Sequence, residues 1–202
     1  MLMASARREP EEHVDADEDR GFLLMVRRGE PEGATELFRK YSVAVFRYAD
    51  RMLGNRSEAE EVAQEVFLKM IARVEQYDGR ASVASWLFAI AANASRDRLR
   101  RSARRSAVSL EAVAEVATDD PLADEALAVR ERRDLVRKAL AALSPDQREA
   151  LVLARYHGLP YAEVAKALAI SEGAVKTRVF RAMEKLRDVV SQGGPTWNAV
   201  TP

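Results

Sequence analysis

The chain has 202 residues, enough for one to two compact domains, and its 48% hydrophobic and 32% charged residues are a globular composition. Nine glycines and seven prolines are too few for the turns of a β-sandwich or barrel, and they favour an all-α fold of helices joined by short loops. The absence of cysteine excludes disulfides, thiol nucleophiles and thiolate zinc sites, His13 and His157 are too far apart in sequence to form a metal site by themselves, and the formal net charge of zero hides blocks of opposite sign.

Residues 1–19 are polar and acidic (Glu9, Glu11, Glu12, Asp15, Asp17, Glu18, Asp19) and are expected to form a disordered leader. A first domain is expected over 20–105. Leu37, Tyr41, Val45, Tyr48 and Met52 recur at helical spacing, with Phe38, Ala49 and Leu53 on the same side, until Gly54-Asn55 breaks the helix. Ser57 and Glu60 read as a capping box that opens the next helix. Its apolar stripe is Val62, Val66, Met70 and Val74, widened by Phe67 and Ile71, beside an outer row of Glu58, Glu61, Gln64, Glu65, Lys69 and Arg73. A third helix starts near Ser82. Trp86, Ile90 and Ala94 form its inner face with Leu87 and Ala91, and it runs into Arg96, Arg98, Arg100, Arg101, Arg104 and Arg105, opposed only by Asp97.

Residues 106–126 hold an acidic stretch around Pro121, free of Lys and Arg from Ala107 to Glu125, which reads as a flexible tether. A second helical domain is expected over 127–190. It opens with a helix carrying Leu135, Val136, Ala139, Leu140 and Leu143. Ser144-Pro145-Asp146-Gln147 then restarts a helix, with Ser144 as N-cap, Pro145 at the first helical position and Gln147 closing the box. The tail over 191–202 should fray.

No stretch presents paired carboxylates, a glycine-rich phosphate loop or a nucleophile beside a base, so no catalytic residue, cofactor or metal is assigned and the chain is not read as an enzyme. No apolar run approaches the roughly 20 residues that span a bilayer, and the N-terminus lacks a signal-peptide core. A cytoplasmic location without membrane contact is therefore expected.

The strongest local signal is Tyr161 to Arg187, laid out as a helix-turn-helix. Small Ala165 lies where two helices must cross, Val164 and Leu168 face inward, and Ile170 plugs the turn. Ser171 caps a second helix with an inner stripe of Val175, Val179, Met183, Leu186 and Val190. Its outer side shows Lys176, Thr177, Arg178, Arg181 and Lys185, a face suited to the major groove and its phosphates. Ala169 occupies the turn position where such motifs usually have glycine. The arginine-rich third helix suits a nucleic-acid backbone. Phe88 lies off its inner stripe, where an exposed aromatic can stack on an unpaired base.

These segments in this order, from about Asp19 to Val190, resemble the extracytoplasmic-function (ECF) type sigma factors of bacterial RNA polymerase. The resemblance is carried by EEVAQEVFLKM, ASVASWLFAIAANASRDRLRR, LSPDQREALVLARYHGLPYAEVA and SEGAVKTRVFRAMEKLR. It implies a two-domain protein (sigma region 2 and sigma region 4) that binds core polymerase and promoter DNA and is held in check by an anti-sigma protein. The polymerase contacts it implies are the β′ clamp coiled coil, taken by Glu61, Gln64 and Glu65, and the β flap. The −10 reader would comprise Ser82, Trp86, Phe88, Asn93, Arg96, Asp97, Arg100 and Arg101, in which Asn93, Asp97, Arg100 and Arg101 fit an N-x-x-x-D-x-x-R-R pattern. The −35 reader would comprise Ser171, Glu172, Lys176, Thr177, Arg178, Arg181 and Lys185. Arg80 and Val83 depart from the acidic and aromatic residues usual before that tryptophan. The competing reading is a stand-alone helix-turn-helix regulator that never touches polymerase.

Overall fold

The computed structural model describes residues 11–108 and 135–191, and among them every regular element is helical. Helix α1 spans Glu11–Arg27, α2 Pro31–Leu53, α3 Arg56–Ala72 and α4 Val83–Val108. Residues 135–141 are helical (α5), followed by α6 over Pro145–Leu151, α7 over Tyr161–Leu168 and α8 over Glu172–Ser191. The tether expected over 106–126 lies outside the described residues from 109 onward, as do residues 1–10 of the expected leader and 192–202 of the expected tail.

The first departure from the sequence reading is α1. Residues from Glu11 are helical where a disordered leader was expected, and buried Asp19 accepts hydrogen bonds from Lys40 (2.7 Å) and from the Tyr41 hydroxyl. Behind that acidic start the contiguous run Phe22–Val26 buries Leu23 and Val26 on α2. Arg27 ties the end of α1 to the short 3-10 turn Val74–Gln76 by donating to the carbonyls of Val74 and Tyr77, both at 3.0 Å.

Helix α2 buries Leu37, Val45, Tyr48, Ala49 and Met52. It ends at Gly54, whose φ of 68° lets the chain turn where an L side chain is strained. Asn55, not Ser57, is the N-cap of α3: its side chain accepts from the Glu58 amide at 3.1 Å. Val62, Val66, Phe67 and Met70 of α3 are buried as expected, whereas Ile71 is 48% exposed and Phe38 of α2 is 52% exposed, meeting Phe67 edge-on. Leu87, Ile90, Ala91 and Ala94 of α4 complete this core.

In the second half, Ser144 and Gln147 form the reciprocal capping box at the start of α6. The helix then widens into a single π-turn over Val152–Tyr156. Between α7 and α8, Ala169 adopts φ 54°, ψ 45°, the left-handed conformation usually left to glycine. Ser171 caps α8 by accepting from the Ala174 amide at 3.1 Å. Val175, Val179, Ala182 and Leu186 face the core, Met183 is half-buried, and α8 packs on α6 and α7. The two halves are not separate bodies. Helix α4 packs against α7 as well as α2 and α3, and the buried side chains form one continuous core.

Candidate nucleic-acid interface

Helix α4 carries two buried stripes. Leu87, Ile90, Ala91 and Ala94, with Trp86 only half-buried, belong to the one foreseen from helical spacing, and Val83 joins it. A second, at offsets of three and four residues, is Ser85, Phe88, Ala92 and Ser95, all nearly inaccessible to water, with half-buried Arg96 beside it. The second stripe is where α6, the π-turn and α7 reach α4. Glu163 of α7 accepts from the Ser82 amide (3.0 Å), the Ser82 hydroxyl (2.7 Å) and the Ser85 hydroxyl (2.7 Å), and so sits at the N-terminus of α4, where Ser82 also accepts from the Ser85 amide at 3.1 Å as a cap. His157 stacks at 4.8 Å, tilted, on Phe88, which also meets Tyr48 of α2 at 5.7 Å.

At the other end of the stripe, Glu149 of α6 is almost fully buried and serves two arginines. Arg96 of α4 donates through Nε (2.8 Å) and Nη2 (3.0 Å), a two-point fork, and Arg178 of α8 donates through Nη1 at 3.2 Å. Arg178 also reaches Asp146 at 2.7 Å. Arg148 closes the same seam from another side, donating to the carbonyls of Leu140 (2.8 Å) and Met52 (2.7 Å).

The electrostatics follow from this packing. Burial pushes the Glu163 carboxyl up, but hydrogen bonds from Lys166, Ser85 and Ser82 outweigh it and hold the group down to about 2. Burial, reinforced by the charges of Arg51 and Arg47, pulls the His157 imidazole down to about 4, and its Nε2 is buried without a partner. The same burial, with the Glu149 charge nearby, raises the Tyr48 phenol well above its ordinary range.

Of the −10 candidates, Asn93, Asp97, Arg100 and Arg101 are exposed, and Arg100 lies 3.7 Å from Asp97. Trp86 is half-buried against Tyr77 at 5.3 Å, and Ser82 and Arg96 are held by carboxylates of the second half. Phe88 requires a correction. It is 3% exposed, not free to stack on a base, because the side of α4 that a lone first domain would leave open is covered by His157.

Of the −35 candidates, Ser171, Glu172, Lys176, Thr177, Arg181 and Lys185 lie exposed along one end and side of α8. Lys176 pairs with Glu172 at 3.1 Å, and the Thr177 hydroxyl donates to the Gly173 carbonyl at 3.0 Å. Arg178 is turned inward to Glu149. On α3, Glu61 and Gln64 are exposed and Glu65 is partly so; Glu61 meets Arg98 at 2.7 Å and Glu65 meets Lys69 at 2.5 Å.

Sequence reasoning passed over Glu149, Glu163, Ser85 and His157. Glu149 did leave a signal: it lies one helical turn before buried Val152 and Leu153, on the side of the helix that they mark as inward. A charge on an inward stripe demands a buried partner. Glu163 and His157 sit among residues of mixed polarity and leave no comparable trace.

The family model described as sigma-70 region 2 matches residues 37–105, and that described as sigma-70, region 4 matches residues 133–186. The chain is 35% identical over 170 residues to RNA polymerase sigma factor CarQ of Myxococcus xanthus, an alignment covering 82% of this chain and 94% of that protein. It is 34% identical over 161 residues to ECF RNA polymerase sigma factor SigL of Mycobacterium tuberculosis, covering 79% and 90%. Among solved structures, the sigma factor RpoE in complex with the anti-sigma factor NepR from Bartonella quintana has a TM-score of 0.64 at 25% identity, covering 78% of this chain and 96% of that one.

Proposed function

Since the chain belongs to the ECF RNA polymerase sigma factors, we propose that it docks on core polymerase through residues 20–105 and reads the −10 and −35 promoter elements with its two halves. In this reading Glu61, Gln64 and Glu65 on α3 meet the β′ clamp coiled coil. Asn93, Asp97, Arg100 and Arg101, with Ser82, Trp86 and Arg96, serve the −10 element. Ser171, Glu172, Lys176, Thr177, Arg178, Arg181 and Lys185 serve the −35 element, and the second half meets the β flap. The protein works in the cytoplasm, where polymerase and promoter are, and no described helix is long and apolar enough to cross a membrane. An anti-sigma partner covers these faces, by analogy with the RpoE–NepR complex.

One observation carries the reading: a basic, exposed helix end on α4 and a capped helix-turn-helix on α8 occur in one chain, in the family's order. Two weak DNA contacts on one chain gain affinity through effective concentration when their spacing fits the promoter. Run-off transcription tests it, with core polymerase and a template carrying the promoter upstream of the protein's own gene. A defined transcript is expected only when the chain is added, and the Glu61→Ala/Gln64→Ala/Glu65→Ala variant should lose most of it. Tight, specific DNA binding by the free chain together with no effect on polymerase would instead establish a stand-alone regulator.

A further inference from the structure

The backbone between the 3-10 turn Val74–Gln76 and α4 makes few hydrogen bonds of its own, and side chains take its carbonyls instead. Arg27 of α1 donates from one nitrogen, Nη2, to the carbonyls of Val74 and Tyr77, both at 3.0 Å, and its Nε lies 3.3 Å from Glu75. Arg20, about two turns earlier on α1, donates to the Gly79 carbonyl at 3.4 Å. The Tyr77 hydroxyl donates to the Ala81 carbonyl at 2.6 Å.

Tyr77 is thus pinned at both ends, by its carbonyl to α1 and by its hydroxyl to the residues that lead into α4. Its ring is the wall on which half-buried Trp86 rests, with centroids 5.3 Å apart. A fixed neighbouring ring limits the rotamers open to Trp86 before any DNA arrives.

We propose that α1 sets the −10 reader: Arg27 is a positioning residue that fixes Tyr77 and, through it, Trp86, so that promoter opening depends on a side chain that does not itself meet DNA. The proposal rests on the assignment of Trp86 to the −10 element. Arginine suits the task because its planar guanidinium loses less freedom than a lysine amine in taking two carbonyls at once. Unpairing bases is costly, and a receiving face already in place offsets more of that cost than one that must first be ordered. Initial docking of closed duplex draws on the −35 reader and on core polymerase, and it does not use Trp86.

The first arm of the test uses the free full-length chain. Trp197→Phe leaves Trp86 as its single tryptophan, and the readouts are its emission maximum and its quenching by acrylamide. Arg27→Ala should shift the emission to the red and make the ring more accessible to the quencher, and Arg27→Lys should recover part of both. Tyr77→Phe keeps the ring but removes its bond to Ala81. It should move both readouts the same way by less, and it decides the matter should Arg27→Ala fail to fold by circular dichroism. Folded variants that leave Trp86 at the parent values overturn the proposal.

The second arm reconstitutes holoenzyme from core polymerase and each chain. Lag times of abortive synthesis at several holoenzyme concentrations, on the template used for run-off transcription, separate initial binding from the rate of opening. Arg27→Ala should slow opening about tenfold, the worth of one charge-assisted hydrogen bond. Initial binding should stay within about twofold of the parent, as for an independent site. Trp86→Ala should slow opening at least as much, and the double variant no more than Trp86→Ala alone, because the arginine acts through the ring. A loss shared equally between binding and opening, or two effects that add, overturns the proposal in favour of a general stability role. A chain whose Trp86 emission shifts as expected, but which directs no transcript even unsubstituted, keeps the brace on Trp86 and loses the sigma assignment.

Discussion

At Gly33 the helices α1 and α2 approach so closely that a Cβ would lie 2.3 Å from the Phe22 carbonyl oxygen and 2.9 Å from the Val26 amide nitrogen. Both neighbours are backbone, so neither can swing aside. Gly33→Ala should destabilise the fold by about 1–3 kcal/mol, the usual cost of overpacking a tight crossing, read as a lower urea midpoint at unchanged slope. Ala169 presents the opposite case. Its φ of 54° is costly for a residue with a Cβ, and glycine removes that cost while losing some unfolded-state restriction. Ala169→Gly should therefore stabilise by about 0.5–1 kcal/mol in the same measurement. The strain at Ala169 was visible in the sequence, because the helix-turn-helix frame assigns that position a conformation. The crowding at Gly33 was not, because a glycine in a helix looks the same whether it faces water or another helix.

The elements show where one-dimensional patterns suffice. Helices α2 to α4 and the α7–α8 pair were legible because their apolar residues recur at helical offsets and their breaks fall on Gly54-Asn55 and Ser144-Pro145. Helix α1 was missed because Phe22 to Val26 run consecutively behind an acidic stretch, and only docking on α2 decides which of them turn inward. The start of α3 shifted from Ser57 to Asn55 because two residues with capping side chains stand close together, and the turn at Gly54 presents Asn55 to the first free amides. The two alternatives separate cleanly by mutation. Asn55→Ala should cost about 1 kcal/mol, the usual value of an N-cap, while Ser57→Ala inside the first turn should stay within about 0.5 kcal/mol of zero. Thermal melts of the two variants side by side are sufficient to rank them.

At the scale of the whole molecule, the seam could not be read from sequence because each half already accounts for its own inner stripe, and the second stripe of α4 gains meaning only when α6 and α7 are laid on it. Against that stripe lies an imidazole, a group whose ordinary pKa is near neutrality. The His157 ring lies against Phe88 and Tyr48 of the first half, and its burial there, helped by the charges of Arg51 and Arg47 of α2, holds it at about 4 instead of 6.5. Parting the halves returns the ring to water and restores its ordinary affinity for protons. Between pH 6.5 and 4 the open form therefore binds more protons than the closed one, and closure is favoured less as pH falls through that window. Glu163, held at about 2 in the closed form, loses its contribution only as pH drops below about 4.5 toward 2, so it adds to the effect late. The distance between spin labels at Ala72→Cys on α3 and Glu184→Cys on α8, two exposed positions in a chain without native cysteine, should accordingly begin to lengthen between pH 6.5 and 5 in pulsed electron paramagnetic resonance, before carboxylates titrate. His157→Gln should delay that opening until the acid range below 4.5. A variant that opens at the same pH as the parent would show that the imidazole plays no part in closure, and that the seam responds to acid through its carboxylates alone.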